Sequence, residues 1–140
     1  MVNHLKYVDV NIFVYWLGGH PIFGEKAYKW IKNISETSHK TYVTSTLTIY
    51  ETLLILAGLT GKNLGDKKFV EEVFEALTSL KGLAFENLEE TDFDRALNLL
   101  KKFKLDYEDA LHLAVAFKVK AKEIISNDKD FDKTTIKRRF

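Results

Sequence analysis

Four acidic residues lie in or beside apolar segments of this 140-residue chain, so its fold must provide each of them with a partner. Asp9 closes the first apolar run, Glu51 interrupts 47–54, Asp109 opens 109–116, and Asp128 follows 124–127. Asp and Glu are almost never fully buried unless something positive compensates for their loss of water. Four acids placed where a core should form therefore predict a shared cation, and with it a metal-dependent enzyme.

Short apolar segments alternate with segments of helical periodicity along the chain. Strands are predicted at 5–10, 41–44, 83–88 and 123–126, while the tail 134–140 is ambiguous and could add an edge strand. Helices are predicted at 11–17, 23–35, 46–59 and 107–120, with one more beginning after Asp66 and another running from Thr91 to about 103. The predicted N-caps of the last four helices along the chain are Ser45 or Thr46, Asp66, Thr91 and Asp106. This alternation favours a parallel sheet covered on both faces. Functional groups gather at the carboxyl ends of strands in such sheets, where Asp9 and Asp128 are expected.

Composition limits the class of protein. A length of 140 residues, 46% hydrophobic and 29% charged, indicates one soluble domain over 1–140. With 21 Lys and Arg against 20 Asp and Glu, net charge says almost nothing about partners. Because the chain has no cysteine, disulfides, zinc–thiolate sites and cysteine nucleophiles are excluded. Met1–Lys6 lacks the pattern of a signal peptide and no apolar run approaches ~20 residues, so a cytoplasmic protein without a membrane segment is expected.

A site made of carboxylates suits Mg²⁺ or Mn²⁺, which prefer oxygen ligands. Without a cation, one pair of acids 4 Å apart would repel by about 4 kcal/mol at an effective dielectric of 20. Metal-free protein would relieve this repulsion by raising some of the pKa values. Bound metal would relieve it better, and it would activate water and neutralise a phosphodiester under attack.

Each acid also has a simpler explanation. Asp9 could be a turn residue, Glu51 could pair with a lysine, and Asp128 could be a loop acid, as could Asp130. Asp109 lies three residues after Asp106, a spacing typical of a capping box, and capping is assigned to Asp106. His112, one turn after Asp109, is expected to pack beside the site or to be hydrogen-bonded in the core.

Four motifs in order carry a family resemblance. They are Asp9-Val10-Asn11, Ser45 followed by Glu51 on a helix, Asp109-Ala110-Leu111-His112-Leu113-Ala114, and Ser126-Asn127-Asp128-Lys129-Asp130-Phe131. Each motif is weak alone, but together they span nearly the whole chain. With them the chain resembles PIN-domain ribonucleases, closest to the VapC-type toxins of VapBC toxin–antitoxin pairs.

The resemblance implies a PIN-like three-layer α/β/α sandwich with a short central parallel sheet of four to five strands. It implies an endoribonuclease that uses Mg²⁺ or Mn²⁺ to cleave single-stranded RNA, with Asp9, Glu51, Asp109 and Asp128 as metal-binding, catalytic acids. Asn11 and Ser126 would support them, and the extra acids Asp106 and Asp130 are unassigned neighbours. The family also implies a homodimer and a small antitoxin partner.

Other interpretations stay open. Lys133, Lys137, Arg138 and Arg139 follow Asp128 and could contact phosphates, although a solvated surface explains them as well. A nuclease in RNA processing or decay, or a non-catalytic binding module, would share these patterns. An aspartyl phosphohydrolase usually has an acid at the position of Asn11. A phosphoacceptor receiver domain has an acidic pair before the first Asp, and residues 3–8 contain no acid. Both interpretations are therefore weaker than that of a metal-dependent nuclease.

Overall fold

The computed structural model describes residues 4–140. Residues 1–3, part of the segment without a signal-peptide pattern, lie outside the described residues. The strands are β1 Lys6–Val8, β2 Tyr42–Ser45, β3 Leu83–Glu86, β4 Glu123–Ile125 and β5 Lys137–Arg139. The helices are α1 Val10–Leu17, α2 Gly24–Glu36, α3 Thr46–Thr60, α4 Lys67–Thr78, α5 Glu90–Phe103 and α6 Tyr107–Lys118, with a 3₁₀ helix at Lys129–Lys133.

All five strands are parallel and form one sheet in the order β3-β2-β1-β4-β5. The predicted parallel sheet is therefore confirmed, and the ambiguous tail supplies its fifth strand at one edge. Among the described residues, no helix has both the length and the apolarity that a membrane crossing requires.

Helices cover both faces of the sheet, which makes the three-layer α/β/α arrangement that was expected. Val8 and Ile125 pack with α1, α2, α3 and α4 on one face. Tyr7 and Ile124, their neighbours in the strands, pack with α5 and α6 on the other face. The alternation follows from the two-residue period of a strand. Helix α6 is buried from Ala110 to Ala116, because it lies between the sheet and α5.

The chain order explains where a site can form. From the central strand β1 the chain moves outward to β2 and β3, then returns to the other side of β1 for β4 and β5. Connections therefore leave β1 and β4 in opposite directions, and a crevice opens at their carboxyl ends. Asp9 directly follows β1, and Ser126 directly follows β4.

Three of the four predicted helix caps are confirmed, because Ser45 caps α3, Asp66 caps α4 and Asp106 caps α6. The predicted cap of α5 was wrong, because Glu89 and not Thr91 is the N-cap. The side chain of Asp92 accepts a hydrogen bond from the Glu89 backbone N–H. An acid can replace Ser or Thr there because its oxygen accepts the same free N–H group. Asp106 caps α6 as predicted, accepting from the Asp109 N–H at 2.8 Å.

Candidate active site

Asp9 is buried at the junction of β1 and α1. It is the N-cap of α1: its Oδ1 accepts from the Val10 N–H at 2.8 Å, and its Oδ2 accepts from the Ser126 hydroxyl at 2.6 Å. Burial is the main influence on its carboxyl and raises the pKa of Asp9. The charge of His112 and the hydrogen bonds from Ser126 and Val10 act against this rise, and the charge of Glu51 adds to it. Asp9 is therefore a desolvated acid held in one orientation.

Ser126 joins the ends of β1 and β4. Besides donating to Asp9, its Oγ accepts from the Asp128 N–H at 3.0 Å and from the Asn11 amide at 3.4 Å. A single hydroxyl thus sets the spacing between two of the acids. Of the predicted supporting residues, Ser126 contacts Asp9 and Asp128 directly, whereas the Asn11 side chain contacts the Ser126 hydroxyl.

Asp109, Asp128 and Asp130 form one cluster, in which one carboxylate oxygen from each lies within 4.8 Å of the others. Partial burial and the charges of Asp128, Asp106 and Asp9 raise the pKa of Asp109 to about 8. Asp130 is exposed and also pairs with Lys133 at 3.2 Å. Half-buried Asp109 and Asp128 therefore face the crevice with little compensation, while Asp130 lies at its rim.

Glu51 belongs to a second cluster with His112 and Glu108. Its Oε1 accepts from His112 Nε2 at 2.5 Å, and the other ring nitrogen, Nδ1, lies 2.6 Å from the Tyr7 hydroxyl. Burial favours the neutral form of Glu51, but hydrogen bonding with His112 and Glu108 outweighs it and lowers the pKa of Glu51. The same interaction with Glu51, with partial burial, raises the pKa of Glu108 to about 7.

Asp9 couples the two clusters electrostatically. Glu51 contributes to the raised pKa of Asp9, and Asp9 contributes to the raised pKa of Asp109. Three helix N-termini add their positive ends: Asp9 caps α1, Asp128 caps the 3₁₀ helix, and Asp109 lies in the first turn of α6. Acids from four distant segments are thus brought to one edge of the sheet.

The donor set suits an oxygen-preferring divalent ion. Glu51 is only 7% exposed, yet its Oε2 has no hydrogen-bond partner among the described residues; Glu108 could donate to it only when protonated. The Asn11 side-chain oxygen is likewise buried and without a partner in the described part of the chain. Buried oxygen atoms without a donor, beside Asp109 whose pKa is raised by burial and by neighbouring carboxylates, suit a divalent cation that prefers oxygen ligands.

Three of the four basic residues suggested for phosphate contact form ion pairs with acidic residues of the chain. Arg138 forms a two-pronged pair with Asp132 and donates to the Ser126 carbonyl, and Arg139 pairs with Glu123 while lying over the Trp30 ring. Lys133 pairs with Asp130, and Lys137 is exposed on β5. Arg138 therefore serves to tie β5 to the site, and the free phosphate-binding capacity of this group is smaller than the sequence suggested.

Two residues of the site were missed in the sequence. Glu108 precedes Asp109 and sits in the first turn of α6, but nothing in its local pattern separates it from an ordinary solvated acid. Tyr7 lies in the apolar run of β1, where an aromatic residue is explained by the core alone. His112 is buried and hydrogen-bonded as expected.

A family model described as the PIN domain matches residues 6–137. No curated protein sequence matches the chain.

Solved structures share the fold at low sequence identity. VapC20 of Mycobacterium tuberculosis, described as a toxin that cleaves the sarcin–ricin loop, is 15% identical with a TM-score of 0.74, over 94% of this chain and 95% of that one. A toxin–antitoxin complex from Klebsiella pneumoniae is 20% identical with a TM-score of 0.63, over 90% and 89%. VapBC2 of Rickettsia felis, bound to promoter DNA, is 15% identical with a TM-score of 0.65, over 96% and 97%.

Proposed function

Because the chain belongs to the PIN domain family, we propose that it is a Mg²⁺- or Mn²⁺-dependent endoribonuclease that hydrolyses phosphodiester bonds of single-stranded RNA. The observation that carries this proposal is the convergence of Asp9, Glu51, Asp109 and Asp128 at the carboxyl edge of the sheet. Such a set of acids weakens the metal-free protein through repulsion and desolvation, and a divalent cation offsets both.

In this proposal Asp9, Glu51, Asp109 and Asp128 hold the metal. A bound divalent ion would supply positive charge for the phosphodiester and lower the pKa of an attacking water. Ser126 keeps Asp9 and Asp128 at a constant separation through its hydroxyl. Asp109 and Glu108, whose pKa values are raised to about 8 and about 7, would release protons as the cation binds.

We expect the purified chain to cleave single-stranded RNA with Mg²⁺ or Mn²⁺ and to stop in EDTA. Hydrolysis by water, unlike attack by the ribose 2′-hydroxyl, leaves no 2′,3′-cyclic phosphate. When the attacking water expels the 3′-oxygen, the upstream product ends in a 3′-hydroxyl, so a 3′-phosphatase that also opens cyclic phosphates leaves its gel mobility unchanged. A cyclic end would be opened and dephosphorylated, and the mobility would change. Cleavage that persists in EDTA, or cyclic ends, would reject the mechanism.

We also propose that the protein is the toxin of a toxin–antitoxin pair, working as a homodimer and silenced by a small antitoxin. The Klebsiella and Rickettsia structures support this by analogy. Large apolar side chains on α3 also remain exposed among the described residues; Tyr50 and Leu54, one turn apart on the same face, are each at least half exposed. Exposed apolar groups that cluster are typical of a protein partner's surface.

Expression of the chain in a bacterial host should arrest growth, and co-expression of a small neighbouring gene product should restore it. Harmless expression with no such gene beside it would favour the alternative of a PIN nuclease in RNA processing or decay. A module that only binds a partner through α3 would instead keep its function after replacement of Asp9.

A further inference from the structure

We propose that Tyr7 and His112 are positioning residues that hold Glu51 in one orientation, with its Oε2 directed to the metal site. The inference rests on the proposed function, because it assigns to Glu51 the task of binding metal. It concerns a chain of three side chains from three elements: Tyr7 on β1, His112 on α6 and Glu51 on α3.

These three side chains are connected without a gap. The Tyr7 hydroxyl lies 2.6 Å from His112 Nδ1, and His112 Nε2 lies 2.5 Å from Glu51 Oε1. The two rings meet edge to face, with centroids 5.7 Å apart. Tyr7 is 0% and His112 is 1% exposed, so water does not compete for these hydrogen bonds. A buried chain of hydrogen bonds fixes its side chains more firmly than a surface pair does.

The direction of the hydrogen bonds follows from the chemistry of Glu51. An ionised carboxylate only accepts, so Nε2 must carry the proton that it donates to Oε1. The tyrosine hydroxyl both donates and accepts, and therefore matches Nδ1 whether or not that nitrogen carries a proton. The arrangement thus holds in either charge state of the imidazole.

Both ring nitrogens are used in this way, which argues against His112 as a metal ligand although it belongs to the Glu51–Glu108–His112 cluster. With Oε1 occupied, only Oε2 of Glu51 is left for a cation; that atom accepts no hydrogen bond in the described part of the chain, and Glu108 of the same cluster can donate to it only when protonated. Oε2 is therefore the Glu51 atom that the chain of hydrogen bonds through Tyr7 and His112 leaves for a cation.

Two substitutions of His112 distinguish a role in orienting Glu51 from a role in stabilising the fold alone. In His112→Gln the side-chain amide reaches about the place of Nε2 and can still donate to Glu51. In His112→Asn it reaches about the place of Nδ1 and can contact Tyr7 but not Glu51. The same pair of substitutions at His39, which is exposed, is the matched control.

The measurement is the affinity of the full chain for Mn²⁺ by isothermal titration calorimetry, alongside thermal unfolding in EDTA. Loss of a group that orients a metal ligand costs about 10–100-fold in affinity. We expect His112→Asn to weaken Mn²⁺ binding by that amount, His112→Gln to weaken it by less than about tenfold, and the two variants to unfold at similar temperatures. Equal affinities in the two variants would overturn the proposal.

If His112→Asn does not fold, Tyr7→Phe decides, because it removes one hydroxyl and keeps the ring. A structural role predicts a lower unfolding temperature with unchanged Mn²⁺ affinity, which would overturn the proposal; weaker affinity supports it. RNA cleavage is scored separately. Wild-type chain that binds Mn²⁺ without cleaving RNA refutes the nuclease alone, whereas cleavage with equal Mn²⁺ affinity in the His112 variants refutes the positioning role alone.

Discussion

Replacement of Asp9 by Asn lowers the rate of metal-dependent RNA cleavage by about 10²–10³-fold, since several kcal/mol of transition-state stabilisation depend on the bound cation. Asn keeps the shape of the side chain and an oxygen for the Val10 N–H, but it removes the charge. The amide nitrogen cannot accept from the Ser126 hydroxyl as Oδ2 does, but burial already opposes the Asp9 charge and raises its pKa, so the stability of metal-free Asp9→Asn should stay close to that of the wild type. The measurement is the initial rate of single-stranded RNA cleavage at saturating Mn²⁺.

Asp94→Asn is the matched control for this substitution, because Asp94 is exposed on α5. It should cleave at the wild-type rate. An Asp9→Asn protein that cleaves RNA within about threefold of the wild type would leave no role for the acid cluster in the reaction, since one pKa unit or one lost interaction already amounts to about tenfold. Such a result would favour a binding module instead.

Replacement of Asp109 by Asn stabilises the metal-free protein while it removes activity. The folded chain holds a proton on Asp109 up to about pH 8, whereas the ordinary carboxyl pKa is 3.8. Asp128, Asp106 and Asp9 are the charges that contribute to this shift, after burial. Near pH 8 this raised pKa lowers the free energy of unfolding by about 2–4 kcal/mol. The figure is less than ~1.4 kcal/mol for each unit of pKa change, because solvent screens the charges around the partly buried Asp109.

The sign of the pH dependence follows from where the protons are bound. Between about pH 4 and pH 8 the folded wild type binds more protons at Asp109 than the unfolded chain does, so its stability falls as pH rises through this window. Asn does not titrate. The advantage of Asp109→Asn over the wild type should therefore be small near pH 4, grow with pH, and level off above about pH 8.

Urea unfolding in EDTA at several pH values measures this difference. The free energy of unfolding of Asp94→Asn should not differ from that of the wild type by an amount that grows between about pH 4 and pH 8. With Mn²⁺ the order should reverse, because the wild type gains stability from binding the ion and the variant lacks one ligand. A constant difference between Asp109→Asn and wild type across the window would show that Asp109 is not under electrostatic strain.

Local features of the fold could be predicted from the sequence. The apolar runs ending in Asp9 and Ser126, the hydroxyl and carboxyl caps, and the continuous apolar stretch after Asp109 each depend on neighbours a few residues away. Strand ends differed by one or two residues, and the cap of α5 moved from Thr91 to Glu89, because several adjacent polar side chains could accept the same N–H groups. The parallel sheet followed from the same alternation, whereas the tail that forms its edge strand β5 was ambiguous in the sequence.

The sequence by itself determined which acids stand at apolar boundaries, and so which residues a metal site could use. Only the tertiary structure decided how each acid is held. Glu51 and His112 are 61 positions apart, Tyr7 and His112 are 105 apart, and no local pattern encodes either hydrogen bond. The engagement of Arg138 by Asp132 and the approach of Glu108 to Glu51 are likewise products of packing. Periodicity and capping act over one or two helical turns, whereas the position of a buried polar group depends on which elements the core brings together.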